Sequence, residues 1–252
     1  MPTRNIRLTL AYDGTDFSGW QVQKNAETIQ GVIEAALARM HGHPVRIQGA
    51  GRTDAGVHAT GQVGNFYSDL DSIAGPTWAV AMNSYLPPEI RVIDSSEEES
   101  AFDAKASALE RSYAYFLVPA PVIPPHLRRY AWRIRRRPDL AALNRLAAVF
   151  EGEHDFTTFA AAGDVSKSKV RLVRCACFHP QGSVLVFRVS ASSFVWKMVR
   201  SMVGTILEYE TAGRAPEALA EALEARDRAG AGTSAPPWGL FLERVRYADE
   251  RF

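Results

Sequence analysis

The feature that most constrains the fold is a series of short strand-like segments that follow one another with few helices between them. Alternating apolar residues from Ile6 to Tyr12 predict a half-buried first strand. The same reasoning predicts further strands at 45–50, in a segment ending at Phe66, and at 105–118, 170–180, 183–191 and 240–247. Gln181-Gly182 lies between two of them and predicts a hairpin turn. Neighbouring strands with occasional helices indicate an α+β fold whose sheet is mostly antiparallel.

Helices are predicted where apolar residues recur at helical spacing and suitable residues stand at the ends. Thr28 and Gly42 bound the clearest helix, as N-cap and C′ residues. Others are predicted from Pro76, from Pro138 to Phe150, from Phe194 to about Leu207, and from Pro216. The acidic stretch Asp94–Glu99 is expected to be a solvated connection. Each half of the chain has strands and a long helix, so we predict two similar halves, residues 1–104 and 105–252.

Charge is unevenly distributed along the 252 residues, although the net charge is only +1. Residues 105–214 carry 17 Lys and Arg against 8 Asp and Glu. A basic middle segment in a nearly neutral protein suggests a local surface for a polyanion. No apolar run approaches the ~18 residues that span a membrane, and the first residues, with Arg4 and Arg7, lack the apolar core of a signal peptide. We therefore expect a cytoplasmic protein without a membrane partner.

The two cysteines, Cys175 and Cys177, give no reason to expect a disulfide or a metal site. They stand two residues apart in a predicted strand, too far apart for an unstrained disulfide. Two thiols with no histidine pair nearby make a poor zinc site. We expect two small, mostly buried strand residues.

The segment from Gly49 to Gly61 is the densest candidate for chemistry. Its glycines bracket Arg52, Asp54 and His58, and glycine permits backbone conformations and close approaches that other residues forbid. A short loop of this kind would present Arg52 and Asp54 on a rigid frame. The alternative is a tight turn in which Asp54 only caps its own backbone.

The predicted helix from Phe194 to Leu207 has only two charged residues, Lys197 and Arg200. A helix this apolar is expected to be buried on most sides. A buried guanidinium is costly without a carboxylate, so Arg200 needs an acidic partner unless its side chain reaches solvent.

Two further segments combine arginine with aromatic rings. Arg111, Tyr113 and Tyr115 share one face of a predicted strand. A tyrosine there could stack on an unpaired base or simply pack in the core.

The arginine run, residues 128–137, holds six arginines interleaved with Tyr130 and Trp132. Charge for phosphates and rings for bases are typical of an RNA-binding surface. A solvated segment or a subunit contact would have the same composition.

Taken together, these motifs resemble the tRNA pseudouridine synthase A family nearly end to end. The most specific is Gly51-Arg52-Thr53-Asp54-Ala55-Gly56-Val57-His58. The others are Ala11–Gly14, Gly19–Gln21, Asn83–Pro88, His154–Thr157, Met198–Arg200 and Gly239-Leu240. The chain differs from the residues common in the family at Val195-Trp196-Lys197 and at Ser201.

The resemblance implies a pseudouridine synthase fold, α+β, with two related halves and an active-site cleft between them. The first half, 1–104, would carry the catalytic aspartate loop. The second, 105–252, would carry the tyrosine strand, the basic segment and the Arg200 helix. It also implies the isomerisation of uridine to pseudouridine at positions 38, 39 and 40 of tRNA by a homodimer. No cofactor and no metal would be required.

The resemblance also implies roles for single residues. Asp54 would be the nucleophile, Arg200 its ion-pair partner, and Tyr113 the ring against the flipped base and a candidate proton carrier. Arg52 would hold the target nucleotide out of its stack. Further substrate contacts are expected from Asp13, His58, Arg128, Arg129 and Arg133.

Two other functions fit part of the sequence. A non-catalytic RNA-binding protein would need the arginine run but not Asp54. A nucleoside N-glycosidase would also break a base–sugar bond, but that chemistry usually pairs two carboxylates; Asp13 or Asp103 would have to approach Asp54. The sequence leaves open whether Asp54 attacks C1′ of the sugar or C6 of the base.

Overall fold

The computed structural model describes residues 3–248 and shows an α+β protein. Its elements follow in the order β1 (Arg4–Tyr12), α1 (Ile29–His41), β2 (Gln48–Gly49), β3 (His58–Ser68), α2 (Trp78–Asn83), β4 (Ile90–Glu98), β5 (Glu110–Pro119), β6 (Trp132–Ile134), α3 (Leu140–Ala148), β7 (Gly152–Asp155), β8 (Val170–Gln181), β9 (Val184–Ala191), α4 (Met198–Thr211), α5 (Pro216–Glu224) and β10 (Leu240–Arg246). Most strand pairs are antiparallel, and the parallel ones include β3 with β10 and β5 with β6. The predicted fold class is confirmed.

The chain divides into two compact units, one ending at Leu109 and joined by the segment from Phe241, the other Glu110–Leu240. The predicted division lay after residue 104, with the last strand in the second half. In the structure, Asp103 begins a turn by accepting hydrogen bonds from the backbone N–H groups of Lys105 and Ala106, so β5 starts later than predicted. The last strand pairs with β3, a long-range contact that local sequence patterns do not reveal.

In the first unit the strands lie in the order β4-β1-β3-β10, with β2 added to β3. Helix α1 has the predicted ends: the Thr28 hydroxyl accepts from the Gly31 N–H, and Gly42 takes a φ of 75°. Ile29 and Ile33 on its inner face are fully buried. This helix follows from its own residues, since its caps and its apolar face agree.

Strand β4 corrects the expectation that Asp94–Glu99 is a solvated connection. It pairs along its length with β1. The carboxylates are accommodated because β1 presents arginines to them: Arg4 binds Glu97, and Arg7 lies 3.7 Å from Glu98. The acidic residues therefore belong to an edge strand whose charges are compensated across the ladder.

In the second unit β5 pairs with β9, β9 with β8, and β8 with β7, while β6 runs parallel to β5. The predicted β8–β9 hairpin is confirmed, with Gly182 at a φ of 60° in its turn. Helix α3 is capped by Asp139, whose carboxylate accepts from two backbone N–H groups of its first turn. Phe150, Phe156 and Phe159 form a buried cluster beyond its end.

Helix α4 is displaced along the chain from its predicted position. It was expected from Phe194 to about Leu207, but it begins at Met198 and continues to Thr211. Lys197 takes a left-handed φ of 62°, which excludes the preceding residues from the helix. At the other end Tyr209 is buried, so the helix extends past the last apolar run that the sequence shows. The prediction of a mostly buried helix is confirmed.

Candidate active site

The Asp54 loop, residues 50–57, connects β2 to β3 in the first unit. Its ends are fixed by a hydrogen bond from the Ala50 N–H to the Val63 carbonyl (2.8 Å) and by one from the Val57 N–H to the Asp54 carbonyl (3.1 Å). The second bond closes a turn in which Gly56 has a φ of 75°, a conformation that favours glycine. The Asp54 side chain is half-buried. The loop thus holds a carboxylate in a defined position without enclosing it.

The segment from Tyr12 to Trp20 frames this loop through the backbone. The Trp20 N–H donates to the Thr53 carbonyl (3.0 Å), and the Gly56 N–H donates to the Phe17 carbonyl (3.3 Å). Gly19 has a φ of 91°, and a Cβ there would lie 2.6 Å from the Thr53 carbonyl oxygen. Sequence reasoning did not identify this frame, although the glycine spacing was a signal for it. Glycine is required because the two segments pack backbone to backbone.

Buried polar side chains support the loop from below. The Tyr12 hydroxyl and the Thr53 hydroxyl are 2.8 Å apart, and the Gln62 amide donates to the Gly51 carbonyl (2.8 Å). Burial raises the pKa of Tyr12 to about 12, so its hydroxyl is neutral and able to donate at physiological pH. These contacts were missed because Tyr12 and Gln62 alternate with apolar residues in ordinary strands.

His58 and Asp13 lie together at one end of this frame. The His58 ring is fully buried and stacks on Phe241 with centroids 4.5 Å apart. Its Nδ1 accepts from the Gly14 N–H (3.0 Å) and lies 3.2 Å from a carboxylate oxygen of Asp13. That oxygen also accepts from the N–H and the hydroxyl of Thr15. These contacts describe a structural role, and a contact with substrate stays a prediction for both residues.

Arg52 differs from His58 and Asp13 in its exposure and in its contacts. Its side chain is exposed, two residues before Asp54. Among the described residues, none makes a hydrogen bond or ion pair with it. The guanidinium is therefore available to a ligand.

In the second unit the two tyrosines of β5 differ. Tyr115 is fully buried, its hydroxyl donates to the Pro236 carbonyl (2.7 Å), and burial raises its pKa against the opposing charge of Arg200. Tyr113 retains 7% of its surface, and its ring meets Phe194 edge to face at 5.0 Å. Both rings are therefore buried, and Tyr113 differs from Tyr115 in retaining a small exposed fraction.

Arg200 lies in the first turn of α4 and is half-buried. Its Nε donates to the Ala235 carbonyl (2.8 Å), and its own carbonyl accepts from the Ala235 N–H (2.9 Å). These two bonds fix the base of the side chain against the loop before β10.

The arginine run is mostly exposed, but its members are not equivalent. Arg128, Arg129 and Arg133 are exposed, and Arg133 donates to the Pro121 carbonyl (3.0 Å). Arg136 instead forms an ion pair with Glu210 and a hydrogen bond with Thr211 on α4. Part of the run lines a groove of about 660 Å³ that also contains Glu208 and Glu210. Arg136 is thus already engaged by an ion pair within the protein.

Metal and membrane contacts are not indicated by the described residues. In residues 3–248, no group of three or more His, Cys, Asp and Glu could hold a metal ion. Within the same range, no helix is long and apolar enough to cross a membrane.

The Cys175 and Cys177 sulfurs are 3.9 Å apart and unlinked. Cys175 is exposed and Cys177 is half-buried, contrary to the expected burial.

Comparisons with known proteins agree over nearly the whole chain. A family model described as tRNA pseudouridine synthase matches residues 9–105 and 146–248. A protein of Treponema denticola named tRNA pseudouridine synthase A is 44% identical over 98% of this chain and 94% of its own length. Proteins of the same name from Moorella thermoacetica and Exiguobacterium sibiricum are 42% and 40% identical, over 96% and 98% of this chain and 99% and 98% of their own lengths.

Among solved structures, a chain of a Cbf5-Nop10-Gar1 complex aligns with 94% of this chain and 58% of its own length. That match has 13% identity and a TM-score of 0.36, too low to support an argument. The family model and the full-length relatives confirm the family and the enzyme class that the motifs predicted. The chain belongs to the tRNA pseudouridine synthase family.

Proposed function

We propose that this protein isomerises uridine to pseudouridine at positions 38, 39 and 40 in the anticodon stem-loop of tRNAs, with Asp54 as the nucleophile. The observation that carries the proposal is the Asp54 loop itself. A half-buried carboxylate is held on a backbone that two glycines and a second segment fix in place. Such positioning favours attack on a bound substrate over simple capping of a turn, which needs no external frame.

The chemistry requires one carboxylate and no change of oxidation state. The N1–C1′ bond breaks, the uracil turns, and a C5–C1′ bond forms. The proton lost from C5 is balanced by a proton gained at N1. Asp54 would attack either C1′ or C6, and both routes use a covalent intermediate that splits one difficult step into two.

Other residues would act around this carboxylate. Arg52, exposed beside it, would hold the target nucleotide out of its stack. Tyr113 would place its ring against the flipped base and carry a proton. Arg200 would pair with Asp54, and the fixed base of the Arg200 side chain supports that role.

Substrate contacts and assembly extend the proposal. Arg128, Arg129 and Arg133 would contact phosphates, whereas Arg136 is already paired within the fold. We further propose a cytoplasmic homodimer that binds one tRNA through joined basic faces. Sedimentation showing a fully active monomer would overturn the dimer.

Release of tritium from tRNA labelled as [5-³H]uridine tests the reaction. Pseudouridine formation expels the C5 hydrogen, whereas binding alone releases nothing and N-glycosidase action releases free uracil. We expect tritium in water and no free uracil. Transcripts with uridine at only one of positions 38, 39 and 40 test the sites, and release from transcripts lacking all three would contradict them.

The role of Tyr113 is tested by Tyr113→Phe, with Tyr115→Phe as the control. If the Tyr113 hydroxyl carries the proton, its loss should slow turnover by about 100-fold or more while binding persists. Tyr115→Phe should lower stability only, because its hydroxyl binds Pro236. Normal turnover in Tyr113→Phe would remove the proton-carrying role.

A further inference from the structure

Trp196 is exposed over 46% of its surface. Single exposed aromatic residues are normal on proteins, so exposure by itself carries nothing. What distinguishes Trp196 is that its backbone is held on both sides. Its carbonyl accepts from the Ala161 N–H (2.9 Å), and its N–H donates to the Asp164 carboxylate.

The carboxylate that holds Trp196 is itself fixed. Asp164 also accepts from the Lys169 ammonium and from the Ser166 N–H (2.8 Å). Burial would raise the pKa of Asp164, but the hydrogen bonds from Lys169, Trp196 and Ser166 outweigh it and hold that pKa well below its usual range. The group is therefore ionised at physiological pH, and its bond to the Trp196 backbone is charge-assisted.

The ring is positioned as well as the backbone. The edge of the indole at Cζ3 lies against Gly163, where a Cβ would come within 2.9 Å of it. The next residue, Lys197, takes the left-handed φ of 62°, and its ammonium lies 5.0 Å from the centroid of the Trp196 ring. Strained backbone of this kind persists only where surrounding contacts determine it, and it concentrates at functional sites.

We propose that Trp196 is a stacking platform for an unpaired base of the RNA substrate, with Lys197 contacting the adjoining phosphate. This inference rests on the proposed function, because it takes the substrate to be an RNA loop. An exposed, preorganised indole offers a flat face that any base can use. The ammonium beside it is complementary to the phosphate that accompanies each base. Trp196 also closely precedes α4, the helix that carries Arg200.

The test uses an anticodon stem-loop RNA that carries 2-aminopurine at one loop position at a time, and a fully paired duplex of the same stem. Trp196→Ala should bind the stem-loop about tenfold more weakly, and Trp196→Phe should retain part of the affinity. The duplex, which has no unpaired base, should bind both variants as it binds the wild type. Quenching of 2-aminopurine at one loop position should be lost in Trp196→Ala.

Two further variants sharpen the result. Gly163→Val keeps the indole but displaces it, and should weaken stem-loop binding in the same direction. Tyr67→Ala removes a ring of similar exposure (48%) from β3 in the first unit and should have no effect. Unchanged stem-loop affinity and quenching in Trp196→Ala would overturn the proposal. So would a change in sedimentation mass without a change in RNA binding, since the indole would then be a subunit contact.

Tritium release by the wild-type protein separates this inference from the function on which it rests. If the wild type releases no tritium, the proposed function fails. If it releases tritium and Trp196→Ala binds normally, only the stacking platform fails.

Discussion

The Asp54 loop and the arginine run differ in how the fold treats their functional groups. The loop is held by backbone hydrogen bonds, by glycines at close approaches and by buried hydroxyl and amide groups. The run is a mostly exposed segment in which Arg133 contacts a carbonyl and Arg136 is bound to Glu210. We therefore expect catalysis to depend on the exact position of the Asp54 carboxylate. We expect RNA binding to depend on the positive charges of the arginine run.

The largest effect on turnover is expected from a substitution at Gly19. Gly19→Ala must adopt a φ of 91° and place a Cβ 2.6 Å from the Thr53 carbonyl oxygen. We expect a stability cost of roughly 1–3 kcal/mol from the conformation. Displacement of the Asp54 loop should slow tritium release by about 100-fold.

Gly42→Ala is the matched control, because its φ is 75° but no atom lies within 4 Å of the added Cβ. It should show a similar stability cost in urea unfolding and normal turnover. Equal turnover in the two variants would mean that the close approach at Gly19 does not position the loop.

In the arginine run, charge should matter more than position. Replacing Arg128, Arg129 and Arg133 by Glu should weaken tRNA binding and reduce the salt dependence of log Kd by about one unit for each phosphate that the variant no longer binds. Binding measured across a salt series gives the slope directly. An unchanged slope would place these side chains away from the RNA.

Single substitutions within the run refine this prediction. Arg133→Ala should lower the slope, whereas Arg136→Ala should change it little, because its guanidinium is engaged by Glu210 and Thr211. Because the Arg136 side chain is exposed over 49% of its surface, although that of Glu210 is nearly buried, the ion pair should contribute about 1 kcal/mol to stability. A larger loss of RNA affinity in Arg136→Ala than in Arg133→Ala would reverse the assignment.

The smallest effect on turnover is expected from changes in the buried side chains that support the Asp54 loop. Tyr12→Phe removes the bond to the Thr53 hydroxyl and should cost about 1–3 kcal/mol, because a buried partner is left unsatisfied. Turnover should fall only slightly, since the backbone frame remains. Tyr247→Phe removes a comparable bond to the Ala104 carbonyl and should lower stability alone; a matching loss of turnover there would show that the effect is not specific to the loop.

Elements whose stabilising contacts are local in the chain could be predicted from the sequence. Elements that depend on contacts with distant residues could not. Helix α1 was predicted with its caps because Thr28 and Gly42 act locally. Strand β4 was missed because its acidic residues are explained only by Arg4 and Arg7 on β1.

The same distinction holds for the site. The glycine-bracketed loop around Asp54 was visible in the sequence, but its frame was not, since the bond from Trp20 to Thr53 joins residues far apart in the chain. Helix α4 was predicted to begin too early because apolar composition does not register the left-handed Lys197. The neighbouring Trp196 N–H binds the Asp164 carboxylate, a contact between residues far apart in the chain.

The most direct test of the account is tritium release by Asp54→Asn from [5-³H]uridine tRNA. The substitution keeps the shape of the side chain and its ability to cap a turn, but an amide cannot replace a carboxylate as nucleophile. The variant should unfold like the wild type and bind tRNA with similar affinity, because phosphate contacts elsewhere dominate binding. It should release no measurable tritium. Substantial release by folded Asp54→Asn would contradict the assignment of Asp54 and the mechanism built on it.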